Sequence, residues 1–198
     1  MMLISTINKF RTTLYVQIWE KRIKVSDIES KKIFDEQPLV AIESDKKGKK
    51  TIAAIGNNAS SLALKDNTVV INPFSHPRDL FSNLEVAEKL LQHIIRTLNE
   101  KKYFVPSPVL VIHPMEKTEG GLTMIEKRVF RELAFGAGAR NVVLYQGKEL
   151  SIYDFDFDAI KTADEEHDTP WQPKNKLRNI FGYVIWLGII VLITTYRN

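Results

Sequence analysis

Residues 106–145 read PSPVLVIHPMEKTEGGLTMIEKRVFRELAFGAGARNVVLY. Val109-Leu110-Val111-Ile112 is a short apolar run between Pro108 and Pro114, the length and β-branched content of a strand buried on both faces. A loop with Gly120-Gly121 near its end follows. Thr123-Met124-Ile125-Glu126 has the form of a capping box, in which hydroxyl and carboxylate satisfy orphan amides at a helix start. Ile125, Val129, Phe130 and Leu133 fall at helical spacing and predict one apolar stripe. Gly136 and Gly138 can stop the helix, and Val142-Val143-Leu144-Tyr145 predicts a second buried strand. Strand, crossover helix and strand make a right-handed parallel unit around which the rest should pack.

Upstream the period changes. Leu14, Val16 and Ile18 alternate with Tyr15, Gln17 and Trp19, and Ile23 and Val25 alternate after the polar turn Glu20-Lys21-Arg22. This period of two predicts a hairpin or meander. Pro38 to Ile42 and Thr51 to Ile55 read as two further strands, joined by a lysine-rich stretch from Asp45 to Lys50 that suits a solvated hairpin tip. A brief helix is possible at Ala59 to Leu64, and Val69-Val70-Ile71 reads as a short strand. Ser82-Asn83-Leu84-Glu85 predicts a second capping box, opening an amphipathic helix with Leu84, Leu91, Ile94, Ile95 and Leu98 on its apolar side.

A chain of 198 residues with 44% hydrophobic and 26% charged content is enough for one well-packed domain. A net charge of +4 without a basic stripe and interleaved aromatics does not point to nucleic acid. The absence of cysteine excludes disulfides and thiolate metal sites. His76, His93, His113 and His167 lie far apart without ligand spacing, so no metal site is expected, and with no Gly-x-Ser-x-Gly, no Walker loop and no paired carboxylates on one helix face, no cofactor is expected either. Asp154, Asp156 and Asp158 lack the glycine turn and distal glutamate of a calcium loop, so Ser151 to Phe157 reads as an edge strand or a solvated arm.

The ends differ in character from the middle. Residues 1–11 carry Leu3, Ile7 and Phe10 on one helical face, an amphipathic pattern suited to a membrane surface or to packing on the domain. Residues 151–176 turn polar, acidic and proline-bearing, the mark of a linker. Residues 177–197 are expected to form a transmembrane anchor, with Phe181, Tyr183, Trp186, Leu187, Ile190 and Leu192 meeting lipid. Ile180 to Tyr196 is uncharged and long enough for about 25 Å of helix. Lys174, Lys176 and Arg178 precede it, so the positive-inside rule predicts a single pass through a bacterial inner membrane with the N-terminal domain in the cytoplasm.

Several stretches between Leu14 and Leu144 resemble the MreB family of bacterial actin-like rod-shape proteins. They are Pro38-Leu39-Val40-Ala41-Ile42, Ala53-Ala54-Ile55-Gly56, the helical run Ala87 to His93, Pro106-Ser107-Pro108, and Arg131-Glu132 followed by Gly136-Ala137-Gly138-Ala139-Arg140. The resemblance implies an α/β architecture: the first half of an actin-like (RNase H-like) fold over residues 12–150, a mixed sheet with flanking helices. That family begins with a strand ending in an Asp-x-Gly-Thr phosphate loop, and here Gln17, Trp19 and Glu20 stand at those positions. An indole blocks backbone approach to a polyphosphate, and a carboxylate repels it. Gln146 stands at the position of the family's catalytic glutamate, where other actin-like proteins use glutamine. The second half of the fold, which supplies the second phosphate loop and the adenosine pocket, has no counterpart in the stretches matched.

The expectation is therefore a non-catalytic pseudo-actin, not an enzyme, anchored at the inner membrane and docking on a partner such as an MreB-type filament or another envelope assembly. Trp19, Arg22, Phe74 and Arg78 are its candidate contact residues. The alternatives are an ATP-dependent filament component completed by a partner chain, or a scaffold or chaperone of a flagellar motor, pilus or secretion complex.

Overall fold

The computed structural model of the protein describes residues 12–76, 81–100 and 106–167. Its main sheet has five strands in the order β3-β2-β1-β7-β8. These are β1 (Thr13–Ile18), β2 (Ile23–Asp27), β3 (Ile33–Glu36), β7 (Val109–Pro114) and β8 (Asn141–Leu144). β1 pairs antiparallel with β2 and parallel with β7, with Val16 opposite both Val25 and Ile112. β8 adds in parallel to β7, so the strand–helix–strand unit read from residues 106–145 is present. β3, absent from the sequence reading, extends the hairpin antiparallel to β2.

A central strand presents successive side chains to opposite faces, and here both faces are covered. Leu14, Val16 and Ile18 join Ile23, Val25, Leu110, Ile112 and Leu144 in a core roofed by two helices, α2 (Leu84–Asn99) and α3 (Met124–Gly136). Tyr15, Val111 and Val143 form a smaller core on the other face with Ile160 of α4 (Phe157–His167), joined by Leu150, Ile152, Phe155 and Phe157. The polar–apolar alternation of β1 therefore does not mean one wet face: Tyr15 and Gln17 are both fully buried.

A second, three-stranded antiparallel sheet has the order β5-β4-β6, from β4 (Val40–Ser44), β5 (Lys50–Ile55) and β6 (Thr68–Ile71). The lysine-rich link is an exposed hairpin tip, where Asp45 Oδ1 accepts the amides of Lys47 and Lys49 and Gly48 takes a φ of +78°. The possible helix at Ala59 to Leu64 is one turn, α1 (Asn57–Ser60).

Three local expectations need correction. The cap of α2 is Asn83, whose side chain accepts the Val86 amide, while Ser82 Oγ instead donates to the Asn72 carbonyl. The Thr123–Glu126 capping box is present. The apolar stripe of α3 is rotated, however: Phe130, Leu133 and Ala134 are buried, while Ile125, in the first turn, is 76% exposed. The stretch read as arm and linker carries α4, because Ile160 buries against the second face of the sheet and Asp164 pairs with Arg131. The expected segment 1–11, the transmembrane stretch 177–197 and Arg78 lie outside the described residues. Among the described residues no helix is long and apolar enough to cross a membrane.

Candidate functional site: the ends of β1 and β7

Parallel strands β1 and β7 end side by side, with Ile18 opposite Pro114, and their following loops face each other. The β1–β2 turn is closed by the Trp19 amide donating to the Arg22 carbonyl at 2.9 Å. At its tip the Glu20 amide donates to Glu116 Oε2 at 2.8 Å. The Glu20 carbonyl accepts from Asn72 Nδ2 at 2.7 Å, and its carboxylate lies 3.1 Å from Lys117 Nζ. Lys117 also donates to the His76 carbonyl. The space left between this turn, Phe74 and Pro114 is about 10 Å³, enough for one water at most.

Arg22 forks onto Asp35 with contacts of 2.7 and 2.6 Å, a bidentate arrangement that fixes its plane. The guanidinium sits 4.9 Å from the centre of the Trp19 ring, within cation–π range. Its hydrogen bonds hold the Asp35 carboxyl below the usual carboxylate range.

Gln17 reaches from β1 in the same direction. Its Nε2 donates to Glu149 Oε1 at 2.9 Å, and Lys24 Nζ lies 3.4 Å from the same oxygen. The Gln17 bond, then Lys24, draws the Glu149 carboxyl below its ordinary value. Behind Gln17 runs a hydrogen-bond chain. The Leu150 amide donates to Tyr15 Oη at 3.2 Å, Tyr15 Oη is 2.6 Å from His113 Nδ1, and His113 Nε2 is 3.1 Å from the Gly147 carbonyl. Because that carbonyl can only accept, the proton sits on Nε2 and Nδ1 accepts from the tyrosine. Burial pushes the Tyr15 hydroxyl up to about 12 and lowers the His113 pKa, so both groups are neutral near pH 7. Gln146 Oε1 accepts the Leu122 amide at 2.7 Å, tying the loop before α3 to the segment after β8.

Of the residues singled out from sequence, Trp19, Glu20 and Arg22 share one turn, and Gln17 and Gln146 both border Met115. Phe74 is not a surface contact: it is 3% exposed and packs at a tilt against Phe81, whose ring meets Phe130 edge-on in the core. Sequence reasoning missed Glu116, Glu149, Asn72 and the Tyr15–His113 pair. Each lies far along the chain from its partner, and only the position of Glu116 just past a strand end hinted at a role.

The site can be tested against a nucleotide and its metal. A polyphosphate is received by free backbone amides and cations. Here the Glu20 amide is taken by the chain's own carboxylate, Lys117 and Lys24 are paired to carboxylates, and Glu20, Glu116 and Glu149 add negative charge at these strand ends. Among the described residues no group of three His, Asp or Glu is placed to hold a metal ion. To a polyphosphate these residues present a turn-tip amide that is already bonded and carboxylates that would repel it.

Comparison with known proteins identifies the family. The MreB/Mbl protein family model matches residues 21–151. The cell shape-determining protein MreB of Escherichia coli K12 is 36% identical over 118 residues, which cover 58% of this chain and 32% of that protein. The uncharacterized protein YjaA of the same organism is 28% identical over 131 residues, 64% of this chain and 76% of that one. Among solved structures, MreB 5 of Spiroplasma citri bound to AMPPNP superposes with a TM-score of 0.53 at 16% identity, over 69% of this chain and 38% of that one. The chain thus spans about a third of the length of the curated MreB proteins it matches. With a family model matching residues 21–151, well over half of the chain, and an actin-like mixed sheet in place, the chain belongs to the MreB/Mbl family.

Proposed function

We propose that this chain is a pseudo-actin adaptor: an MreB-like domain that has given up nucleotide and serves as a docking module for a partner at the bacterial inner membrane. One observation carries the reading. The amide at the tip of the β1–β2 turn, where the family presents backbone to phosphate, is occupied by the Glu116 carboxylate. An internal anion at that place satisfies the turn without a ligand and repels an incoming one. Trp19, stacked on Arg22, supports the reading by filling the place of a glycine. The resemblance to cell-shape proteins favours a cytoskeletal or envelope partner. The uncharged stretch before Arg197 favours a single-pass anchor with the domain on the cytoplasmic side.

The test is calorimetric titration of the full chain with Mg-ATP. The expected result is no binding up to about 1 mM, the weak limit of useful affinity. Micromolar affinity that is lost on changing Gln17 or Glu20 would overturn the proposal in favour of an ATP-dependent filament component. Anchoring is checked separately by alkaline extraction of membranes, comparing the full chain with one ending before Lys174. Release of both forms alike would remove the anchor from the account.

A further inference from the structure

The two edges of the main sheet are treated differently. Along β8, the amides of Val143 and Tyr145 face β7, since Tyr145 N–H donates to the Ile112 carbonyl, while at the strand's start the Arg140 amide donates to the Pro108 carbonyl. The outward amides are therefore those of Val142 and Leu144, and both are capped by side chains: Asn141 Oδ1 accepts the first at 3.0 Å and Asp164 Oδ2 the second at 3.2 Å. That edge is closed to another strand.

β3 is not closed. The Asp27 amide donates to the Lys32 carbonyl, so Asp27–Lys32 is a hydrogen-bonded pair of the antiparallel ladder, and by alternation so are Val25–Phe34 and Ile23–Glu36. The N–H and C=O groups of Ile33 and Asp35 then point away from the sheet, and none of them has a partner among the described residues. The next outward amide, that of Gln37, is capped by Asn57 Oδ1 at 3.2 Å. The opening is therefore one short window of four backbone groups. It is flanked by exposed apolar surface: Ile33 is 48% exposed and Tyr153, beside Lys31, is 82% exposed.

The order of charge along this edge names the occupant. Lys31-Lys32-Ile33-Phe34-Asp35-Glu36 carries two cations at one end and two carboxylates at the other, of which Asp35 is held by Arg22 and Glu36 keeps its charge uncompensated by a salt bridge among the described residues. A parallel copy would align like charges; an antiparallel copy sets lysines against acids. We propose that β3 is a strand-addition edge for a second copy of this chain, the two β3 strands pairing antiparallel about a two-fold axis at Phe34. That register is the one in which all four outward groups of each strand are used: Ile33 lies opposite the copy's Asp35, and Asp35 opposite its Ile33. Lys32, which within the chain donates to the Leu98 carbonyl, then lies opposite the copy's Glu36, which accepts the Asn57 amide, on either side of a pair of Phe34 residues packed on their own cores, so opposite charges are cross-strand neighbours. The five-stranded sheet becomes a continuous sheet of twice that width. A two-fold contact of this kind is self-complementary and closes, so assembly through it stops at a dimer. The uncharged Thr68-Val69-Val70-Ile71 edge of the small sheet has no such order, and its opposite edge at Lys49 and Lys50 is guarded by like charge.

This inference does not depend on whether the β1–β2 turn rejects nucleotide. It is tested by sedimentation of the full chain in non-ionic detergent over a range of concentrations, with hydrogen exchange read at single amides. Concentration-dependent dimer formation is expected, with protection appearing at the Ile33 and Asp35 amides. Ile33→Pro removes an outward N–H that the monomer's ladder does not use, and should weaken the dimer at least about tenfold with unchanged circular dichroism. Lys32→Glu alone should weaken it about fivefold, and Lys32→Glu with Glu36→Lys should restore it to within about twofold. A chain that stays monomeric to about 1 mM overturns the proposal. So does a dimer that Ile33→Pro leaves intact, or a double swap no better than the single one.

Discussion

Replacing Tyr15 by Phe tests how the segment after β8 is held over the sheet. The ring stays buried between His113 and Phe155, so packing is conserved. What goes is one hydroxyl that serves two partners, accepting from the Leu150 amide and donating to His113 Nδ1. Two hydrogen bonds are lost at about 1 kcal/mol each. His113 is 2% exposed, so its Nδ1 has no water to turn to and adds about 1 kcal/mol of uncompensated desolvation. The expected loss is about 2–4 kcal/mol, a large share of the stability of a small domain. Urea unfolding followed by circular dichroism reads it as a lower midpoint at an unchanged slope. A double-mutant cycle with His113→Phe should show a coupling of about 1–2 kcal/mol, because both changes break the same chain. A loss below about 0.5 kcal/mol, or strict additivity in the cycle, would refute the claim that this chain of hydrogen bonds fastens residues 147–150.

Protonation should act on the same fastening. Burial lowers the folded-state pKa of His113 below its unfolded value near 6.5, so the unfolded chain takes up the proton first. Stability is then fully present above about pH 6.5 and declines as pH falls, by at most about 1.4 kcal/mol per unit, until the folded pKa is passed. Urea midpoints between pH 8 and 5 should show this decline, and His113→Gln should remove it. Glu29, raised chiefly by burial, acts in the opposite sense nearer the carboxylate range, so the difference between the two chains isolates the histidine. Asp164→Ala should cost about 3 kcal/mol, because it leaves Arg131, with 12% of its side chain exposed, without that carboxylate. Exchange of the Leu144 amide should quicken with it. Thr123→Ala should cost about 1 kcal/mol through loss of the capping box at the start of α3, read by the same unfolding experiment.

Much of the architecture was legible because it rests on local pattern. The run Val109 to Ile112, the capping box at Thr123 and the strand Val142 to Leu144 each declare an element within a few residues. The double burial of β1 was not legible: Tyr15 and Gln17 look like the wet side of an amphipathic strand until α4 and residues 150–157 cover that face. Phe74 looked like an exposed loop aromatic for a similar reason, since its partners Phe81 and Phe130 come from other parts of the chain.

By itself the sequence determined the family pattern over residues 21–151 and which side chains stand in the turn after β1, Trp19 and Glu20 among them, because residue identity is a one-dimensional fact. Only the tertiary structure decided what those side chains and amides meet. The Glu116 carboxylate reaches the Glu20 amide across a separation of 96 residues, and Glu149 reaches Gln17 across 132. Neither pairing has a sequence signature. Hydrogen bonds are set by where the ends of β1 and β7 meet in space, and that meeting is a property of the folded sheet.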